Sequence, residues 1–214
     1  QLNSAEGSLN QQSMLAVDVL ERRGVFETLR RYVVVGARHI LPGGLDHILF
    51  VLAIFLAARR AASLIWQISA FTLAHTITLA LAATGVVKLP ASFVEPFIAF
   101  TIAFVAIENL LFRDVVRWRP LVVFIFGLIH GLGFASFFSA LELPVGLFWS
   151  ALIGFNIGVE LGQLSVIALA ALAVHLVLRT SAEDVRYQKW IVRPGSALIG
   201  LSGLWWGISA LLNL

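Results

Sequence analysis

The chain has 214 residues, of which 59% are hydrophobic and 13% charged, and a formal net charge of +3. Soluble domains are about half apolar and about a quarter charged, so this composition excludes a water-solvated globule and implies a chain dissolved in lipid. The basic residues flank apolar runs, where they orient a membrane protein, and they give no sign of a nucleic-acid partner. There is no Cys and only one Met, Met14. Disulfides, iron–sulfur clusters and soft thioether sites for Cu(I) are thereby excluded, and any bound metal must use imidazole and carboxylate.

Residues 1–24 are polar and mixed, and read as a linker ahead of a membrane domain over 25–214. Because the chain starts at Gln1, the expectation is that a leader or a larger leading domain preceded it. From Val25 to Ile40 the stripe Phe26, Leu29, Val33, Gly36 and Ile40 predicts an amphipathic helix at the membrane interface. Glu27, Arg30, Arg31 and Arg38 lie off that stripe. Pro42-Gly43-Gly44 breaks it. Six apolar helices are then expected, at about 45–58, 62–84, 92–112, 120–141, 146–178 and 194–212, with Trp190 and Arg193 as interface anchors before the last. The fold class is therefore an all-α membrane bundle of six spans plus the interfacial helix. The first span is short, so the 25–40 helix is expected to dip in and complete it. The fifth is long enough to project or tilt.

The connections after the first, third and fifth spans carry Arg59, Arg60, Arg113, Arg117, Arg119, Arg179, Arg186, Lys189 and Arg193, whereas the other two carry only Lys88. The positive-inside rule then places both termini outside a multi-pass plasma (bacterial inner) membrane. The small-residue steps Gly154/Gly158/Gly162, Gly127/Gly131 and Gly203/Gly207 bring helix backbones close. They serve packing within one bundle or, on the last helix, a homo-oligomer seam.

Ionisable residues in lipid cost about 2.5–3.5 kcal/mol each on insertion scales and face a cavity or a partner. The first five spans each carry at least one: Asp46 and His47, His75, Glu95 and Glu108, His130, and Glu160. At about 1.5 Å per residue, Asp46, His47 and Glu95 sit near the outer face, His75, His130 and Glu160 near the middle, and Glu108 toward the inside. Asn156, Glu160 and Gln163 share one face of their helix. Structural readings compete with functional ones. Ser92-Phe-Val-Glu95 matches a capping box, Asp46 suits a helix N-terminus, Glu108 and Asn109 could approach Arg113, and His75 has Thr72 and Thr76 beside it.

Several motifs, in order, resemble the HupE/UreJ membrane proteins: His39 with Gly44-Leu-Asp-His47, Phe71-Thr-Leu-Ala-His75, Val94-Glu95, Ile107-Glu-Asn109, Phe126-Gly-Leu-Ile-His-Gly-Leu-Gly-Phe134, and Phe155-Asn-Ile-Gly-Val-Glu-Leu-Gly-Gln163. The resemblance spans roughly 35–212 and is greatest to the branch with an extracytoplasmic N-terminal region. Members are regarded as nickel or cobalt permeases. The resemblance therefore implies metal-handling roles for His39, Asp46, His47, His75, His130 and Glu160. One departure stands out: the signature usually begins His-Pro, whereas here the proline is Pro42.

Three functions compete. In a divalent-metal permease for Ni²⁺, Co²⁺ or Zn²⁺, the ion would pass down a ladder of weak sites flanked by Glu95, Glu108, Asn109, Asn156 and Gln163. An intramembrane metal hydrolase would need its ligands gathered round one ion, with Glu108 or Asp46 as base. A metal-binding or sensing module would have a closed site and no inner route.

Overall fold

The computed structural model describes residues 24–58, 60–112, 117–134, 138, 145–178 and 185–212, so the polar linker lies almost wholly outside the described residues. Every regular element described is helical. They are α1 (Val25–Ile40), α2 (Leu45–Ala57), α3 (Ala61–Ala83), α4 (Ala91–Leu111), α5 (Arg119–Gly133), α6 (Val145–Leu178) and α7 (Val185–Leu212), the last with a π-helical turn over Gln188–Val192.

Among the described residues, α3, α4, α6 and α7 are each long and apolar enough to cross a membrane. α1 and α2 meet the same test only together, as an apolar pair bent by 74° at the break between them. α5 is apolar but short, since it stops at Gly133 instead of the expected 141. Gly131 and Gly133 make poor helix interior. Both are spent on contact: a Cβ on Gly131 would clash with the His75 carbonyl, and one on Gly133 would press on the Ile98 side chain. The last helix begins nine residues before the expected 194.

Glycine decides which helices pair. α1 packs along α6, where a Cβ on Gly36 would collide with the Phe155 carbonyl, and Cβ atoms on Gly154 and Gly158 would collide with those of Leu29 and Val33. α3 packs along α5 through Gly127 and Gly131, and α4 along α7 through Gly203, whose Cβ would lie 2.8 Å from Ala103 N and Ala99 O. These three pairs carry the most extensive contacts of the fold, and contacts between pairs are thinner. The short helix α2 touches α4, α6 and α7 from the middle, and its Phe50, Val51, Ala53 and Ile54 are fully buried.

α1 differs from its expected stripe. Its buried residues are Thr28, Tyr32, Gly36 and Ile40, spaced by four, whereas Phe26 is exposed. The helix is turned so that Gly36 meets α6, because a backbone approach there needs the residue without a side chain. The glycine steps all face helices of the same chain, so an oligomer using those faces would have to displace one of them.

Candidate metal centre

The Pro42-Gly43-Gly44 break is what assembles the site. It ends α1 just after His39 and starts α2 just before Asp46 and His47, so one sharp bend points three potential ligands inward. His75 projects from the middle of α3, and His130 from the last turn of α5. The glycine packing of α5 on α3 holds these two histidines side by side.

The result is one cluster. Ring centroids of His39 and His47 are 4.8 Å apart, those of His47 and His130 5.1 Å, and those of His47 and His75 5.8 Å. One potential ligand atom from each of His39, His47 and His75 lies within 4.8 Å of the others, and so does one from each of Asp46, His47 and His130. His47 belongs to both groups. Donors about 2.0–2.1 Å from one ion stand roughly 3.4 Å apart, so modest side-chain rotation closes either group round an ion.

The partners on the far side of each ring fix where its lone pair points. Thr101 Oγ1 donates to the Ile98 carbonyl at 2.7 Å, so at 2.9 Å from His130 Nε2 it accepts, and the proton of His130 is on Nε2. Asn156 Nδ2 donates to the Leu152 carbonyl at 2.8 Å, which orients its Oδ1 to accept from His75 Nδ1 at 3.1 Å. Asp46 Oδ1 accepts from His47 Nδ1 at 3.1 Å. These assignments follow from the hydrogen-bond network. They leave lone pairs on His130 Nδ1, His75 Nε2 and His47 Nε2. All three atoms are buried without a hydrogen-bond partner, and so is His39 Nε2.

Phenylalanines enclose the cluster. Phe134 lies 4.0 Å from the His39 ring and stacks on Phe155 at 5.0 Å, while Phe50 and Phe71 lie 5.1 and 5.0 Å from the His130 ring. His47, His75 and His130 are buried, and Asp46 keeps about a third of its side chain exposed.

A family model described as HupE / UreJ protein matches residues 16–210. The chain belongs to the HupE/UreJ family. Nothing among curated proteins or solved structures matches it. In this HupE/UreJ protein His39 is part of the cluster although Pro42, and not its neighbour, is the proline, because the bend over 41–44 absorbs the extra residue.

The other expected residues are distributed differently. The separate outer and central tiers merge, since His47 sits against both His75 and His130. Glu160 is not in the cluster; its Oε1 accepts from Ser69 Oγ at 2.6 Å. Asn156 holds His75, and Gln163 Oε1 accepts from Thr72 Oγ1 at 3.0 Å. Glu95 is exposed and forms no capping box, because α4 starts at Ala91 with Pro90 as its cap and Ser92 is already helical. Together with Asp46, Ile98 and Trp206 it lines a cavity of about 220 Å³.

At the opposite end of α4, Glu108 lies 3.6 Å from Arg119 Nε, and the expected partner Arg113 is outside the described residues. Arg119, read in the sequence as a loop arginine, is 2% exposed. Asn109 accepts from it at 2.9 Å and donates to the Ala53 carbonyl at 2.7 Å. Sequence reasoning missed Thr101, the phenylalanine shell and Arg119. A lone hydroxyl in the apolar run 96–107 was the one available signal for Thr101.

Proposed function

We propose that this protein carries a divalent transition-metal ion across the membrane, with His39, Asp46, His47, His75 and His130 as its binding site. The observation that supports this most is the set of four buried imidazole nitrogens with no partner. Each unsatisfied buried group costs about 1–3 kcal/mol, and a cation held by either group of three would satisfy more than one of these nitrogens or a nitrogen and the Asp46 carboxylate at once. Neutral imidazole with one carboxylate suits Ni²⁺, Co²⁺ or Zn²⁺, and ligand type alone does not choose among them. The family resemblance favours nickel or cobalt.

In this reading Glu95 and Asp46 form the outer mouth. Their carboxylates attract the hydrated ion, and Asp46, already bonded to His47, passes it to the histidines. The His47 ring is common to both ligand groups, so the ion can change partners without leaving it. Both termini lie outside, and the arginine-bearing ends of α3, α4 and α7 face the cytoplasm.

The gathering of ligands also suits a resident catalytic ion, which makes a metal hydrolase the second reading. It has less support because Glu108, one of its two proposed bases, faces Arg119 far from the cluster, and Asp46 is already engaged by His47. The deciding experiment is elemental analysis and anomalous scattering on purified protein, with His130→Ala beside it, followed by metal uptake into proteoliposomes. Bound Ni, Co or Zn that is reduced in the variant, with uptake above empty vesicles, is expected. Absence of binding after loading would end both metal readings, and binding without uptake would end the permease.

A further inference from the structure

An ion released from the histidines needs an inner route, and two polar networks lead away from the cluster. One runs to Glu108. Its carboxylate faces the guanidinium of Arg119, which is fixed and buried, and the neighbouring Asn109 amide is bonded to Arg119, the Ala53 carbonyl and Ser196. Both Glu108 oxygens are buried without a hydrogen-bond partner, but the fixed guanidinium 3.6 Å away repels a mobile cation, so this network ties α2, α4, α5 and α7 together and is a poor route for an ion.

The other network is the seam between α3 and α6. It starts at the histidine site, where Asn156 bonds His75. It continues with Thr72 to Gln163 at 3.0 Å and Ser69 to Glu160 at 2.6 Å. From His75 to Ser69 is about 9 Å at 1.5 Å per residue, toward the end that carries Arg60. Gln163 is fully buried, yet its Nε2 has no partner. A polar atom left open in an otherwise bonded seam fits a guest that brings its own water.

The seam also differs in kind from the tight contacts. α3 contains no glycine, and Gly154, Gly158 and Gly162 of α6 face α1. α1 with α6 and α3 with α5 are each locked backbone to backbone, while α3 and α6 meet through side-chain hydrogen bonds that water can replace.

We propose that the ion leaves the histidine site along the α3/α6 seam, past the Thr72–Gln163 contact to Ser69 and Glu160 as oxygen ligands, as the α1/α6 pair moves away from the α3/α5 pair. This rests on the permease reading. Oxygen ligands hold borderline divalent ions less firmly than imidazole, so affinity falls in the direction of release, as conduction requires. Domain-like movement of packed helix pairs about a fixed midplane site is a recurring way to alternate access.

The chain has no cysteine, so a cross-link tests this directly. Thr72→Cys/Gln163→Cys is bridged with a short bis-methanethiosulfonate reagent, and Ni²⁺ binding and Ni²⁺ uptake into proteoliposomes are measured before bridging, after it, and after dithiothreitol. The control is Ala106→Cys/Gly200→Cys across α4 and α7. There a Cβ on Gly200 would lie 3.5 Å from that of Ala106, within the span of a disulfide of about 3.5–4.5 Å. Expected is loss of uptake to the level of empty vesicles with the seam bridged, recovery on reduction, unchanged binding throughout, and no effect of the control link. Uptake that survives the seam bridge, or is equally lost with the control link, overturns the route and leaves the permease reading standing. Absence of Ni²⁺ binding in the unbridged protein defeats the permease reading instead. If the unbridged variant does not transport, Gln163→Cys alone serves. Its labelling by a membrane-impermeant thiol reagent from the Arg60 side should rise under a Ni²⁺ gradient, and unchanged labelling overturns the route.

Discussion

An imidazole binds a metal ion through a lone pair, so the group that holds its proton on the other nitrogen decides whether it is ready to bind. Thr101, Asn156 and Asp46 do this for His130, His75 and His47. Such outer partners are commonly worth about 10–100-fold in metal affinity. Thr101→Val is therefore expected to weaken Ni²⁺ or Co²⁺ binding by about that factor, with Thr101→Ser restoring it. Equilibrium dialysis of the two variants checks this, and equal weakening by serine would mean that the methyl group, not the hydroxyl, matters. The histidines were legible in the sequence because an ionisable group inside an apolar run must have a partner. Thr101 was not, because a hydroxyl can satisfy itself on its own helix, as Thr76 does with the Thr72 carbonyl.

Between helices, backbone proximity and charge pairing make separable predictions. Gly158 abuts the Val33 carbonyl, whereas Gly146 has nothing within 4 Å of a Cβ. Gly158→Val should lower stability by about 1–3 kcal/mol or more, the usual cost of forcing atoms into a packed contact, with Gly146→Ala nearly silent. Thermal unfolding in detergent reads the difference. Arg119→Leu leaves Glu108 buried and unpaired and should cost about 3–5 kcal/mol, and adding Glu108→Leu should recover most of it. Metal affinity should be unchanged in both, since the pair lies at the far end of α4 from the cluster. A double variant as unstable as the single would show that Arg119 acts through packing. In the sequence the glycine steps could be read only as close contacts, and their partners could not, because a small residue says that something approaches and not what. Arg119 was misread for a related reason: beside Pro120 at the start of an apolar run it has the same local pattern as an exposed anchoring arginine.

For the whole molecule, the proposed binding site is built from α1, α2, α3 and α5, so an ion there would tie the α3/α5 pair to α1 and α2, which otherwise touch it only thinly. A ligand that binds only the folded state adds about 2.7 kcal/mol at a hundred times its dissociation constant. Loading with Ni²⁺ or Co²⁺ should raise the unfolding temperature of the unaltered protein. It should not do so for His47→Ala, which removes the ligand common to both groups. His39→Ala and His130→Ala should keep part of the shift, because each spares one group. A full shift in His47→Ala would place the ion elsewhere.

By itself the sequence determined the solvent, the helical class, most helix limits to within a residue or two, the family motifs and which ionisable side chains lie inside the apolar runs. These follow from composition, apolar run length and side-chain type, which are properties of the chain read locally. Only the tertiary structure decided that two supposed tiers of ligands are one cluster, that Glu160 bonds Ser69 instead of joining it, and that Glu108 is neutralised by Arg119. Depth along a helix can be counted from residue rise, but direction cannot. Which faces turn toward one another depends on where glycine lets backbones meet and on how sharply the 41–44 bend turns α1 against α2.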